Sequence, residues 1–417
     1  MSFTVRTDRS LVRTNGGSVR YALVELTAPD APPRSGRAPV NVALVLDRSG
    51  SMGGEKIVIA RQAVAHALQL LKPADRFSLV AFDDEIDVVV GSTPGSAEAR
   101  RLALERLAQI DARGSTDLHG GWQAGCAEAA AHLAGDAVGR CLLVTDGMAN
   151  VGESDPDRLG QLAAAMRQRG VATSTFGIGR DFDERTLQRM SDGGQGHFYF
   201  VETPQAIPDL LASELGDILE IVAHEAALVI HLPDGVAVEP LGTFPIAAAG
   251  HVVRVELGDL TSGQEMRVVL KLTFPAGAAG DALGVRFALA AKEDVLDADS
   301  RDVAWTFAGH AENDAQRRDR VVDRAVAGLY AAVARLVALE HNRAGRYDEA
   351  RRVLEAVAKK IASYAGSDPE LRRLVAELRH EAGEVGMFMD AMEAKRRHFK
   401  SYTMQRMRTA EGKPWKR

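Results

Sequence analysis

The sequence has little cysteine and no long apolar run. Cys126 and Cys141 are its two cysteines among 417 residues. Two are too few for a disulfide framework or a thiolate metal site, and we expect both to be inert core residues. No apolar stretch approaches the ~20 residues that a membrane helix needs. The first residues show no basic segment followed by an apolar one, so we expect a cytoplasmic protein without a secretory signal.

The chain also lacks a strong excess of either charge. Lys and Arg number 51 and Asp and Glu 57, which gives a net charge of −6. This balance excludes a polycation built for nucleic acid. The exception is the segment 395–417, with nine basic residues and one acidic residue. It is typical of a basic arm for an acidic partner or nucleic acid, or of a tail that is solvated or docked on its own acidic body.

The segment 38–222 alternates short apolar runs with amphipathic stretches. Residues 40–46 are almost continuously apolar, as in a strand buried on both faces. Residues 55–71 repeat apolar side chains at helical spacing. The alternation predicts a parallel sheet with helices on both faces, which is a Rossmann-like, doubly wound α/β domain.

The flanking segments have different patterns. Residues 1–37 hold short strands and a linker rich in Pro and Gly over 29–37, and residues 223–309 hold four or five strands separated by turns. We expect these two segments to form one β-sandwich into which the α/β domain is inserted. Residues 310–394 have helical periodicity, broken near Gly345 and Gly366, and predict a helical bundle or hairpin. The basic tail, 395–417, would follow it.

Oxygen-bearing side chains stand at three strand–helix junctions of the α/β segment. Asp47, Ser49 and Ser51 follow the first buried strand, Thr116 precedes a helix, and Asp146 ends a later strand. In doubly wound sheets, ligands bind beyond the carboxyl ends of the strands. Carboxylate and hydroxyl oxygens suit a hard divalent cation. We therefore predict a metal site for Mg²⁺, with Mn²⁺ or Ca²⁺ as alternatives.

Together these residues resemble the metal-ion-dependent adhesion site of von Willebrand factor A domains. The Asp-x-Ser-x-Ser motif lies at Asp47, Ser49 and Ser51, and Thr116 and Asp146 match the remaining two positions. The β-rich flanks resemble bacterial relatives of inter-alpha-trypsin inhibitor heavy chains and of calcium-activated chloride channel regulators. The resemblance implies that a protein partner completes the metal's coordination with a Glu or Asp. The rim residues that would contact this partner are Arg48, Met52, Gly147 and Met148.

Three other interpretations are open. Asp and Ser at helix starts can act as caps, although capping does not explain oxygen ligands at three separate junctions. A metal with open positions can also serve an enzyme, but Glu55 and His119 are the acid–base candidates nearby and no catalytic motif is visible. We therefore expect no enzymatic activity. The apolar stripe over 321–339 can also pack against another subunit, as in a scaffold protein.

Overall fold

The computed structural model describes residues 1–31, 39–133, 138–292 and 295–416. The predicted linker, 29–37, lies largely outside these residues. The chain forms two compact units, one of Pro32–Glu220 and the other of Met1–Ala31 with Ile221–Arg417. The first strands of the second unit are β1 (Ser2–Thr7), β2 (Leu11–Arg13) and β3 (Ser18–Thr27).

The first unit is a twisted sheet with helices. Its strands are β4 (Val40–Asp47), β5 (Arg76–Phe82), β6 (Ile86–Pro94), β7 (Val138–Thr145), β8 (Val171–Ile178) and β9 (Gln195–Val201). Its helices are α1 (Glu55–Leu70), α2 (Ala97–Leu107), α3 (Leu118–Ala130), α4 (Pro156–Gln168), α5 (Glu184–Gly193) and α6 (Ile207–Leu219). The strand order is β6-β5-β4-β7-β8-β9.

Most of this sheet is parallel, as predicted. Strands β4, β7 and β8 are buried at every residue, as expected for parallel strands that helices cover on both faces. Strand β6, which the sequence pattern did not predict, is antiparallel to β5 at the edge of the sheet. A tight turn reverses the chain there. The Asp83 side chain accepts a hydrogen bond from the Glu85 N–H, and the Asp83 N–H donates to the Glu85 carbonyl.

The second unit contains a two-sheet sandwich followed by helices. The further strands are β10 (Ile221–His231), β11 (Ala237–Leu241), β12 (Ile246–Ala249), β13 (Val252–Thr261), β14 (Gln264–Phe274), β15 (Ala282–Ala290) and β16 (Val295–Ala308). The helices are α7 (His310–Ala315), α8 (Arg320–Arg343), α9 (Tyr347–Ala365), α10 (Pro369–Val385) and α11 (Ala391–Gln405). A short strand, β17 (Trp415–Lys416), comes last.

The start of the chain contributes to both sheets of the sandwich. One sheet has the order β1-β3-β14-β11, with β17 also on β14, and the other has the order β12-β13-β10-β15-β16-β2. Strand β3 pairs with β14 from Ser18 to Thr27, and β2 runs parallel to β16. Val24, Phe287 and Trp305 are buried in the core. The predicted fold class, an α/β domain inserted in a sandwich with helices after it, is confirmed.

The helices differ from the sequence expectation in two places. The helical segment predicted after Gly366 is interrupted after Val385 and restarts at Ala391, with Asp390 as its cap, so it forms α10 and α11. Helix α11 runs through the domain boundary predicted at residue 395, and Tyr402 is buried. Because β17 also pairs with β14, the described part of the basic segment packs against its own unit.

The apolar stripe of helix α8 packs against residues of its own unit. Val322, Val326 and Leu329 pack with sandwich residues, and further along the helix Ala331 and Ala338 pack among residues of α9 and α10. Among the described residues, no helix is both long enough and apolar enough to span a bilayer.

Candidate metal centre

The five predicted ligands lie at the carboxyl edge of the sheet. Asp47 ends β4, Asp146 follows the paired strand β7, and Thr116 stands two residues before α3. Asp47, Asp146, Thr116 and Ser49 are buried, whereas Ser51 is exposed. The site is thus a shallow recess whose acidic groups lie beneath the surface.

Protein donors hold both carboxylates in fixed orientations. Asp47 Oδ1 accepts the Ser49 N–H at 2.7 Å, and its Oδ2 accepts the Thr145 hydroxyl at 2.5 Å. Asp146 Oδ1 accepts the Ser51 hydroxyl at 2.7 Å, and its Oδ2 contacts Lys56 Nζ. A carboxylate oxygen has two lone pairs, so each of these oxygens retains one for a water or a cation.

Gly147 marks the point where ligands from different segments converge. Ser49 Oγ lies 3.1 Å from Ser51 Oγ. A β-carbon at Gly147 would lie 3.2 Å from Thr116 Oγ1, 3.7 Å from Ser51 Oγ and 3.8 Å from Asp47 Oδ2. Oxygens from the loop after β4 and from Thr116 therefore surround one small volume, which the absence of a side chain at position 147 keeps open.

Backbone contacts fix the loops that carry these oxygens. The Gly50 N–H donates to the Gly114 carbonyl at 3.1 Å, and Gly114 has a φ of +65°, which favours glycine. The Thr116 carbonyl accepts the N–H groups of Asn150 and Val151 at 3.1 and 3.2 Å. The loops after β4 and β7 are thus both connected to the segment that presents Thr116.

Three of the four predicted rim residues, Arg48, Met52 and Gly147, are buried. Arg48 pairs with Asp83 at 3.0 Å and with Asp87 at 2.6 Å, and its side chain is only 9% exposed. Met52 is fully buried in a short 3₁₀ turn. Arg48 and Met52 therefore support the loop from inside the protein. Their direction could not be predicted, because a loop of this kind has no periodicity from which side-chain direction can be read.

The surface beside the recess comes from the loop after β7. Gly147 is itself buried, whereas Met148 is 54% exposed. Val151, which the sequence analysis did not select, is 39% exposed. The sequence feature that could have identified Val151 is an apolar residue in a loop that follows a predicted ligand. Met148 and Val151 give this side of the recess an apolar rim.

Burial controls the electrostatics of Asp47. Removal from water raises the pKa of Asp47 to about 6, although hydrogen bonds from Thr145 and Ser49 oppose the rise. A cation beside Asp47 would favour the ionised form and reverse this effect. Asp47 is therefore a carboxylate whose ionisation a nearby cation would favour.

The donor set fits a hard divalent cation. It consists of two carboxylates and three hydroxyls, and such oxygens match the preference of Mg²⁺, Mn²⁺ and Ca²⁺. The described residues contain no cluster of three or more His, Cys, Asp or Glu suited to a metal ion, as expected where hydroxyls supply most ligands. His119 lies in the first turn of α3, its ring 6.3 Å from that of Trp122.

Comparisons with known proteins agree with the observed fold. The family profile of the von Willebrand factor type A domain matches residues 41–213. The chain is 26% identical over 246 residues to the uncharacterized protein YfbK of Escherichia coli (strain K12), covering 56% of this chain and 41% of that protein. It is 27% identical over 266 residues to human inter-alpha-trypsin inhibitor heavy chain H4, covering 62% of this chain and 27% of that protein. The chain thus spans less than half the length of these two relatives.

Solved structures extend the similarity beyond this domain. A von Willebrand factor type A protein from Catenulispora acidiphila has a TM-score of 0.75 at 18% identity, with 96% of each chain covered. The ArnB paralog VWA2 from Sulfolobus acidocaldarius has a TM-score of 0.57 at 17% identity, with 93% of this chain and 99% of that chain covered. At these identities the similarity concerns the fold alone. The family match and the shared fold together identify residues 41–213 as a von Willebrand factor type A domain.

Proposed function

We infer that this domain is a metal-dependent protein-binding module. A divalent cation, Mg²⁺ in the first instance, would bind among Asp47, Ser49, Ser51, Thr116 and Asp146. A Glu or Asp of a partner protein would then complete its coordination. The observation that carries this inference is the convergence, beside Gly147, of oxygens from the loop after β4 and from Thr116, together with the hydrogen bond from Ser51 to Asp146.

The bonding of the carboxylates supports an incompletely held cation. Every oxygen of Asp47 and Asp146 already accepts from, or contacts, a protein donor. The hydroxyls, which carry no charge, are the groups left to face a cation directly. When bound, such a cation would supply an electrophilic position that accepts an anionic oxygen. The carboxylates would hold it from behind through waters or through their free lone pairs.

The rim favours a partner with apolar side chains next to the acidic residue. Met148 and Val151 offer exposed apolar surface on the loop that follows Asp146. Methionine adapts its shape to different partners, as at other promiscuous binding surfaces. Arg48 and Met52 would act indirectly, by holding the Ser49–Ser51 loop in position.

The proposal is tested by capture from a native lysate. Wild-type protein with Mg²⁺, wild-type protein with chelator and Asp47→Ala with Mg²⁺ are compared. Asp155→Ala is the matched control, because it removes an acidic side chain that caps α4 and lies outside the proposed ligand set. A protein retained by the wild type and the control with Mg²⁺, and lost in the other two samples, would support the proposal. Equal capture in all four samples would contradict it.

A further inference from the structure

Lys56 places a fixed positive charge against the proposed metal centre. It is the second residue of α1, and its Nζ contacts Asp146 Oδ2 and lies 3.3 Å from the Ser51 carbonyl oxygen. Its side chain is 27% exposed, whereas that of Asp146 is fully buried. Lys56 is not among the five proposed ligands, and a lysine cannot itself coordinate the cation while it is protonated.

The other basic residues near the loop are engaged elsewhere. Arg48 pairs with Asp83 and Asp87, and Arg113 pairs with Asp83 and Glu85. These five residues form an ion-pair cluster of their own. Among the ion pairs described for this loop, Lys56 is thus the basic side chain that directly contacts a proposed ligand.

The charge balance of the centre depends on Lys56. Asp47 and Asp146, when ionised, contribute two negative charges, and Lys56 contributes one positive charge. With a divalent cation the total is a single positive charge, which one incoming carboxylate neutralises. Without Lys56 the loaded centre would already be neutral, and a carboxylate would leave an uncompensated negative charge in a partly buried site, which is unfavourable.

We propose that Lys56 is the residue that makes the metal-loaded centre selective for a carboxylate. It lowers the affinity of the empty centre for the cation by electrostatic repulsion, and it raises the affinity of the loaded centre for an anion. Cation and carboxylate also attract each other directly, so each strengthens the binding of the other. This inference rests on the proposed function and adds to it the residue that sets the net charge of the loaded centre.

The test uses Mn²⁺ as the cation and acetate as the carboxylate. Free Mn²⁺ is measured by electron paramagnetic resonance, and acetate binding by water-proton relaxation of the Mn²⁺-loaded full chain. Lys56→Met is expected to bind Mn²⁺ about tenfold more tightly and acetate about tenfold more weakly than wild type. Lys56→Arg, which keeps the charge, should stay close to wild type. Lys359→Met on α9 removes an exposed lysine of the other unit and should change neither affinity.

The outcomes separate this inference from the function on which it rests. If wild type binds Mn²⁺ and acetate and Lys56→Met binds both with wild-type affinity, the inference is wrong and the metal-binding proposal stands. Weaker Mn²⁺ binding by Lys56→Met would also overturn it, because Lys56 would then be only a support for Asp146. If wild type binds no Mn²⁺, both proposals fail together.

Discussion

Gly147 lies so close to Thr116 that a β-carbon at position 147 would come within 3.2 Å of Thr116 Oγ1. The same β-carbon would stand 3.7 Å from Ser51 Oγ. A methyl group there would fill the volume that the proposed cation needs, while the backbone of Gly147 does not require a left-handed conformation. The chain thus offers a substitution that blocks the centre without removing any of its oxygens.

We therefore expect Gly147→Ala to lower Mn²⁺ affinity at least tenfold while the protein still folds. Calorimetric titration with Mn²⁺ measures the first quantity, and circular dichroism during thermal unfolding measures the second. Gly216→Ala is the matched control, because a β-carbon there meets nothing within 4 Å. That variant should bind Mn²⁺ like wild type. Unchanged affinity in Gly147→Ala would place the cation somewhere else.

Asp47→Asn tests whether the carboxylate serves a metal or only the local fold. The amide has nearly the same size but no charge, so Mn²⁺ binding should be lost while cooperative unfolding persists. Asp155→Ala should show the reverse pattern: removal of this helix cap costs about 1 kcal/mol of stability and leaves Mn²⁺ binding intact. Calorimetric titration and denaturant unfolding of both variants give the comparison. A strongly destabilised Asp47→Asn that still binds Mn²⁺ would favour the capping interpretation.

The raised pKa of Asp47 predicts opposite pH trends for stability and for metal binding. Because burial raises the pKa from its usual 3.8 to about 6, the fold favours the protonated form. That stabilisation is fully present below pH 3.8 and is lost as the pH rises through about 6. Relative to Asp47→Asn, the metal-free wild type should lose up to about 3 kcal/mol between pH 4 and pH 7. Mn²⁺ affinity should rise over the same range, because the cation requires the ionised carboxylate.

Urea unfolding of wild type and Asp47→Asn at pH 4, 5.5 and 7 in chelator measures the stability difference directly. Titration with Mn²⁺ at the same three values of pH measures the affinity. If the two proteins lose or gain stability in parallel, Asp47 does not titrate in this range and its burial is less costly than the structure indicates.

Arg48 should matter for stability more than for partner contact. Arg48→Ala leaves the buried Asp83 carboxylate without one of its charged donors, and we expect a loss of about 2 kcal/mol or more in the free energy of unfolding. Arg101→Ala removes an exposed ion pair with Glu105 and should cost no more than about 0.5 kcal/mol. Denaturant unfolding compares them. Equal, small losses would mean that Arg48 is free to face a partner.

Much of the architecture could be predicted because it depends on local patterns. Largely apolar runs of strand length identified β4 and β7, and their order along the chain placed Asp47 and Asp146 at one edge of the sheet. The weaker strands carry no such pattern: β12 is exposed at every residue, and β6 lies at an edge. They become strands by pairing with stronger neighbours, which a single sequence does not reveal.

The details of the site depend on contacts between distant segments. Lys56 meets Asp146 across 90 positions of the sequence, and no local rule links the two. Met52 points inward in a short turn whose direction has no periodic signal. The composition of the proposed ligand set was therefore accessible from sequence, whereas the supporting residues and the exposed rim were accessible only from the folded chain.

The central claim is that a divalent cation binds among these oxygens and accepts a carboxylate. A crystal of the full chain grown with Mn²⁺ and acetate tests it most directly, through the anomalous scattering of Mn²⁺. We expect an anomalous peak beside Gly147, in contact with the hydroxyls of Ser49, Ser51 and Thr116, with an acetate oxygen on the ion. Density with no peak there, or a Mn²⁺ peak confined to other residues, would contradict the account.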